Sequence, residues 1–269
     1  MVTLVTGASG FVGARIMAAL PGAVAAPSLR NTDQEAVRRL VEQIAPDAII
    51  HTAAISDIGA CERDPEGSYR ANVLLPEYLA RAAKGIKLTL FSTDQVYSGC
   101  DHPGPFREDD TAPANTYARH KLEMERRVLE IDPDAVLLRA TWMYDMPLYG
   151  MPNRGNFLMN MLRAAATGQP IAFSDVQRRG ITYVRHVAQR MEQALSLPGG
   201  AYNFGSESGE TMYEAARFLA DELGLRIDLH PLSEERRDLN MDCAKLRACG
   251  VAFPDTLEGL RACIADYSL

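Results

Sequence analysis

The sequence predicts an α/β fold, a doubly wound parallel sheet of the Rossmann-like kind, on three observations. The chain opens with an apolar strand running into Thr6-Gly7-Ala8-Ser9-Gly10-Phe11-Val12-Gly13, strand and helix patterns alternate through Ala83, and Tyr117-Ala118-Arg119-His120-Lys121 lies on a later helix. Such alternation packs helices on both faces of a parallel sheet, because each crossover returns the chain over one face.

The first strand is Val2-Thr3-Leu4-Val5, a run that reads as buried. After the turn, Ala14-Arg15-Ile16-Met17-Ala18-Ala19-Leu20 has helical character that Pro21-Gly22 ends. The glycines between them have separate duties. Gly7 takes a dihedral closed to other residues, Gly10 lets the backbone approach a pyrophosphate, and Gly13 lets the helix pack close to the strand. Free N–H groups and the positive helix end then face the phosphates of a dinucleotide. Further strands are expected near Ala48–Ile50, Lys87–Phe91 and Ala135–Leu138, and the run from Asp145 to Gly155, rich in proline and glycine, reads as a loop.

Pro113-Ala114-Asn115-Thr116 supplies a helix start, and Tyr117 and Lys121 share a face of the helix that follows. A tyrosine with a pKa of about 10 is a poor acid at neutral pH, and bringing it to about 7 takes roughly 4 kcal/mol of preferential phenolate stabilisation. A nearby ammonium and an oxidised nicotinamide ring can contribute that. Ser92-Thr93-Asp94 closes the apolar strand Leu88-Thr89-Leu90-Phe91, placing hydroxyls at a carboxyl strand end, where ligands bind in open α/β sheets.

With 269 residues and 47% hydrophobic content, the chain suits one nucleotide-binding core with a smaller lobe. A formal net charge of −7 argues against a nucleic-acid partner, which needs a basic face. No apolar run reaches membrane-spanning length, so no membrane partner is expected. The N-terminus runs into a strand with no secretory leader evident, and the five cysteines lack CxxC spacing, which together point to a cytoplasmic protein with reduced thiols. The five histidines lack metal-ligand spacing; His102 and His120 read as surface residues, and no protein-bound metal is expected.

These patches, together with Ile50-His51-Thr52-Ala53-Ala54, Asp57 to Glu62, Tyr69-Arg70-Ala71-Asn72-Val73, Phe91 to Tyr97, Leu138 to Tyr144, Asn156-Phe157 and Arg237 to Leu246, resemble the extended short-chain dehydrogenase/reductases. The resemblance is greatest to the dTDP-4-dehydrorhamnose reductase branch. It implies one unit over 1–269, with a cofactor core of roughly 1–145 and 176–204 and a substrate lobe of roughly 146–175 and 205–269. It implies NADPH or NADH held by Gly7, Ser9, Gly10, Phe11, Val12, Gly13, Arg30, Asn31, Ala53, Ala54, Ser56, Phe91, Tyr117 and Lys121. Catalysis falls to Tyr117, Lys121 and Thr93, with Ser92 the rival hydroxyl, and a nucleotide-linked sugar meets Thr93, Asp94 and Trp142. Tyr117 would protonate the carbonyl oxygen as hydride arrives, and Lys121 would hold the nicotinamide ribose. A homodimer is the assembly considered.

The chain departs from this branch at Arg30, where an aspartate is expected; with no acidic residue from Ala23 through Thr32, NADPH is favoured over NADH. It departs again at Arg178-Arg179, where a glycine is usual, and at Ile181, where a proline is. Asp94-Gln95 stands where a dehydratase carries Asp-Glu, which disfavours dehydration. A sugar-nucleotide epimerase and a non-catalytic cofactor-binding regulatory subunit are the alternatives.

Overall fold

The computed structural model describes residues 1–152, 155–233 and 238–269; Asn153, Arg154 and Arg237 lie outside these. The order is β1 (Thr3–Thr6), α1 (Phe11–Ala19), β2 (Ala23–Ala25), α2 (Gln34–Ile44), β3 (Ala48–His51), α3 (Ile58–Arg63), α4 (Pro65–Tyr69), α5 (Leu75–Ala82), β4 (Lys87–Thr93) and α6 (Thr116–Ile131). It continues with β5 (Val136–Ala140), β6 (Trp142–Tyr144), α7 (Phe157–Thr167), β7 (Ile171–Ser174), β8 (Ile181–Tyr183), α8 (Val184–Gln189), α9 (Met191–Ala194), β9 (Gly200–Phe204), α10 (Met212–Glu222), β10 (Leu229–Leu232), α11 (Ala244–Ala248) and α12 (Thr256–Tyr267).

Among the described residues, six strands form a sheet in the order β2-β1-β3-β4-β5-β9, parallel throughout. Successive residues of a strand face opposite sides, and the core divides accordingly. Val5, Ile50, Phe91 and Leu138 pack on one face with Ile16 of α1 and Val187 of α8. Leu4, Ile49, Leu90 and Leu137 pack on the other with Val41 of α2, Leu79 of α5 and Val128 of α6. Both faces are covered, which is why the strands read as continuous apolar runs.

A third cluster joins Tyr144, Phe157, Met161, Tyr183, Leu219 and Leu260. It rests on two parallel pairs outside the main sheet, β6 with β8 and β7 with β10. Ile181 and Tyr183 of β8 belong to this third cluster, and Leu246 and Val251 join the core of the main sheet, so the clusters are stitched together by both segments.

Two boundaries also shift. The first helix begins at Phe11 rather than Ala14, directly from the glycine turn, and β4 continues past Phe91 to Thr93. Both extensions bring element ends, Phe11 and Thr93, to the cleft at the carboxyl edge of the sheet. Asp145 to Met151 carries no helix or strand, as a loop should.

Candidate active site

One cleft of about 1870 Å³ runs along the carboxyl edge of the sheet, and every residue the sequence nominated for cofactor, catalysis or substrate lines it. The glycine turn forms one end. Gly7 has φ of +70°, and a Cβ there would stand 2.7 Å from the Ala53 backbone nitrogen. At Gly13 an added Cβ would lie 2.1 Å from the Gly7 carbonyl oxygen, so only glycine permits this approach of helix to turn. Thr52 ties the turn to β3, its hydroxyl donating to the Thr6 carbonyl at 2.8 Å. Gly10 is the N-cap of helix α1, which has no side-chain cap bond and no acidic residue in its first turn. Its first N–H groups are therefore left for an anion.

Arg30 is exposed at the rim, and the neighbouring Asn31 has φ of +61°. The span free of acids ends just short of one carboxylate in the cleft wall: Asp33 also lines the cleft and caps α2, accepting from Ala36 N at 2.8 Å.

Helix α6 supplies the middle of the cleft. Asn115 caps it, accepting from Ala118 N at 2.8 Å, and Glu62 accepts from Thr116 N and its hydroxyl at 2.7 and 2.8 Å. Those bonds fix the turn carrying Tyr117. Tyr117, Lys121, Glu125 and Val128 form the buried face of the helix. Burial pushes the Lys121 ammonium down to about 8, against the pull of Glu125. His51, buried and sharing a 2.6 Å hydrogen bond with Thr6, is driven down to about 3 by burial and by Lys121. A neutral histidine leaves Lys121 the sole cation of this pair.

Ser92 and Thr93 diverge at the end of β4. The Ser92 hydroxyl donates to Glu125, which Arg139 holds at 2.7 Å. Thr93 Oγ1 accepts from Gln95 N at 3.2 Å and donates to Asp94 Oδ1 at 3.3 Å. Gln95 in turn accepts from Asn115 Nδ2 at 3.2 Å, linking this strand end to the α6 cap. Trp142 both lines the cleft and packs edge-on against Phe157, with 6.2 Å between ring centroids. Asp94 is buried and bound by Arg179. Burial raises its carboxyl above the usual range, against the attraction of Arg179.

Asn72 and Arg179 shape the site in ways that no local sequence pattern announces. Buried Asn72 clamps the loop after β3, accepting from Ile55 N at 3.1 Å and donating to Ile55 O at 2.9 Å, which sets the cleft wall carrying Ala53, Ala54 and Ser56. Arg179 is visible in the sequence only as a departure from the branch. His102 is exposed as expected, whereas His120 is half-buried and bonds Ser68 at 2.9 Å. Among the described residues no cluster of three metal-ligating side chains occurs, and no helix is long and apolar enough to cross a membrane. The five cysteines form no disulfide.

The RmlD substrate binding domain model matches residues 1–266. A dTDP-4-dehydrorhamnose reductase of Sinorhizobium fredii is 30% identical, the match covering 87% of this chain and 85% of that one. The methionine adenosyltransferase 2 subunit beta of Xenopus laevis is also 30% identical, over 83% of this chain and 71% of that protein. The crystal structure of a dTDP-4-dehydrorhamnose reductase from Bacillus anthracis, in complex with NADP, shares the fold with a TM-score of 0.86 at 23% identity, covering 98% of this chain and 97% of that one. The match over nearly the whole length, on a fold built around the glycine turn and the Tyr117 helix, shows that the chain belongs to the RmlD substrate binding domain family.

Proposed function

We propose that this protein is an NAD(P)H-dependent reductase of a keto group on a nucleotide-linked sugar, of the dTDP-4-dehydrorhamnose reductase kind. The observation that carries this reading is that Tyr117, Lys121 and Thr93 share one cleft with the glycine turn. The residues suit a dinucleotide: a Cβ at Gly7 or Gly13 would fill the close approaches that shape the turn, and α1 leaves its first N–H groups unclaimed by side chains. Gly7 to Gly13 would hold the pyrophosphate, the clamped loop at Ala53, Ala54 and Ser56 would line the path of the cofactor beside Phe91, and Lys121 would bind the nicotinamide ribose.

The reduced nicotinamide, when bound, supplies a hydride for the carbonyl carbon. Tyr117 donates its phenolic proton to the carbonyl oxygen as charge develops there. The Lys121 ammonium stabilises the phenolate left behind. Thr93 donates to the same oxygen by turning its hydroxyl away from Asp94, whereas Ser92 is committed to Glu125. Trp142 and Asp94 flank the sugar.

Arg30 accepts a ribose 2′-phosphate, which favours NADPH, and measuring Kd for both reduced cofactors in wild type and Arg30→Ala tests it. The division into a core of 1–145 and 176–204 and a lobe of 146–175 and 205–269, a cytoplasmic location and a homodimeric assembly complete the reading; sedimentation checks the last.

A second reading is a non-catalytic cofactor-binding regulatory subunit, and the likeness to a subunit of methionine adenosyltransferase favours it. Tyr117 and Lys121 in the cleft count against it. Incubating the protein with NADPH and a panel of nucleotide-linked keto sugars separates the readings. A reductase consumes reduced cofactor and yields a hydroxyl product, an epimerase leaves total cofactor unchanged, and a binding subunit does neither.

A further inference from the structure

The substrate end of the cleft carries an ion pair whose cation the chemistry above does not use. Arg179 donates from Nε to Asp94 Oδ2 at 2.7 Å and from Nη2 to Asp94 Oδ1 at 3.1 Å. Its guanidinium also lies over the Trp142 indole, 5.6 Å from the ring centroid. The Asp94 side chain is 1% exposed, whereas that of Arg179 keeps 19% of its surface open, and both residues line the cleft. Nε and Nη2 are therefore engaged, and Nη1 has no protein partner among the described residues.

The backbone holds this arginine in place. The N–H of Arg178 donates to Asp238 Oδ1 at 3.0 Å, and its carbonyl accepts from Leu239 N at 2.9 Å. On the other side Gly180 packs so closely that a Cβ would stand 1.7 Å from the Ser206 carbonyl oxygen. Asp94 Oδ1 also accepts the Thr93 hydroxyl, so one carboxylate oxygen joins Arg179 to the candidate catalytic threonine.

A buried carboxylate needs a partner to stay ionised, and Arg179 is that partner. The two formal charges cancel, so the pair presents the cleft with an oriented N–H donor rather than a net cation. Such a donor favours a ligand oxygen placed to meet it and disfavours a ligand that leaves it unpaired.

Resting on the reductase reading, we propose that Arg179 is a specificity-determining residue for the sugar. Its Nη1 donates to a hydroxyl or carbonyl oxygen of the sugar, while Asp94 and the Trp142 face fix its aim.

The test compares wild type with Arg179→Gln, Arg179→Lys and Asp94→Asn. Fluorescence of Trp142, the only tryptophan, follows titration with dTDP-glucose, UDP-glucose, and dTDP and UDP alone in the presence of NADP. KM and kcat for the turned-over keto sugar are measured in parallel. Arg179→Gln and Asp94→Asn are expected to weaken sugar-nucleotide affinity and raise KM by about tenfold or more, while affinity for the bare nucleotide and for NADPH stays within about twofold. Arg179→Lys, which keeps the charge but not the planar fork, should fall between. Sugar-nucleotide affinity unchanged in Arg179→Gln overturns the proposal. So does equal weakening of the bare nucleotide, which would mean that Arg179 reads the diphosphate. Should melting show Arg179→Gln unfolded, Arg179→Gln/Asp94→Asn, which removes both charges, is read in its place by the same criteria. A wild type that binds sugar nucleotides but oxidises no NADPH with any keto sugar overturns the reductase reading alone, and Arg179 is then judged by the affinity ratio. A wild type that binds no sugar nucleotide overturns both.

Discussion

At the scale of the residue, Lys121 holds an ammonium against the penalty of burial, and that tension has a measurable signature. Its pKa is lowered to about 8 from 10.5, first by burial, with Glu125 opposing. Because the folded pKa lies below the unfolded one, stability is withheld in full below about pH 8 and recovered as pH rises towards 10.5. Lys121→Met should therefore raise the cofactor-free stability at pH 7 by about 3 kcal/mol or less, a gain that shrinks between pH 8 and 10.5. A gain in melting temperature that does not vary with pH would contradict this. The same variant should bind NADPH more weakly and turn over more slowly. Tyr117→Phe deletes one hydroxyl, so its rate should fall by roughly 10²–10⁴-fold with cofactor Kd unchanged. A rate above about a tenth of wild type would remove Tyr117 as the acid. The spacing of Tyr117, Lys121 and Thr93 made them legible in the sequence, because helix periodicity and a strand end are local facts. Arg179 and Asn72 were not, since their partners are 85 and 17 residues away and only the fold brings them together.

At the scale of the element, two glycines at the start of α1 differ in how much they matter. A Cβ at Gly13 would meet the Gly7 carbonyl oxygen at 2.1 Å, whereas one at Gly10 would lie 3.1 Å from the same atom. The first contact requires backbone to move; the second needs only a small adjustment. Gly13→Ala should thus cost about 1–3 kcal/mol and weaken NADPH binding, with Gly10→Ala closer to wild type in stability. Thermal melting and cofactor titration of the two variants check the order, and equal stability would show that the turn can yield. The strands of the main sheet were legible because both faces are covered and their apolar runs are continuous. The pairs β6 with β8 and β7 with β10 were not, because such short strands pair across distant sequence without a hairpin turn to announce them.

At the scale of the whole molecule, one buried ion pair fastens the glycine-turn helix to the third core. Arg15 of α1 donates to Asp145 just after β6, and Asp145 also accepts the Tyr267 hydroxyl of α12 at 2.8 Å. The two side chains are 5% and 3% exposed, so removing one strands the other. Arg15→Met should cost about 3–5 kcal/mol in denaturant unfolding, and Arg15→Met/Asp145→Leu less than the sum of the single changes. Additive losses would show that the pair does not couple these parts. What the fold assembles between them is a site for reduction, and the direct test follows the hydride itself. Wild-type protein is incubated with NADPH deuterated at C4, on each face in turn, and with a nucleotide-linked keto sugar that it consumes; the product is analysed by mass. The reductase reading predicts that the label from one face appears in the sugar product, one deuterium per NADPH oxidised, and that Tyr117→Phe greatly slows the transfer. A sugar converted without label and without net loss of NADPH, or no conversion of any keto sugar in the panel, would contradict it.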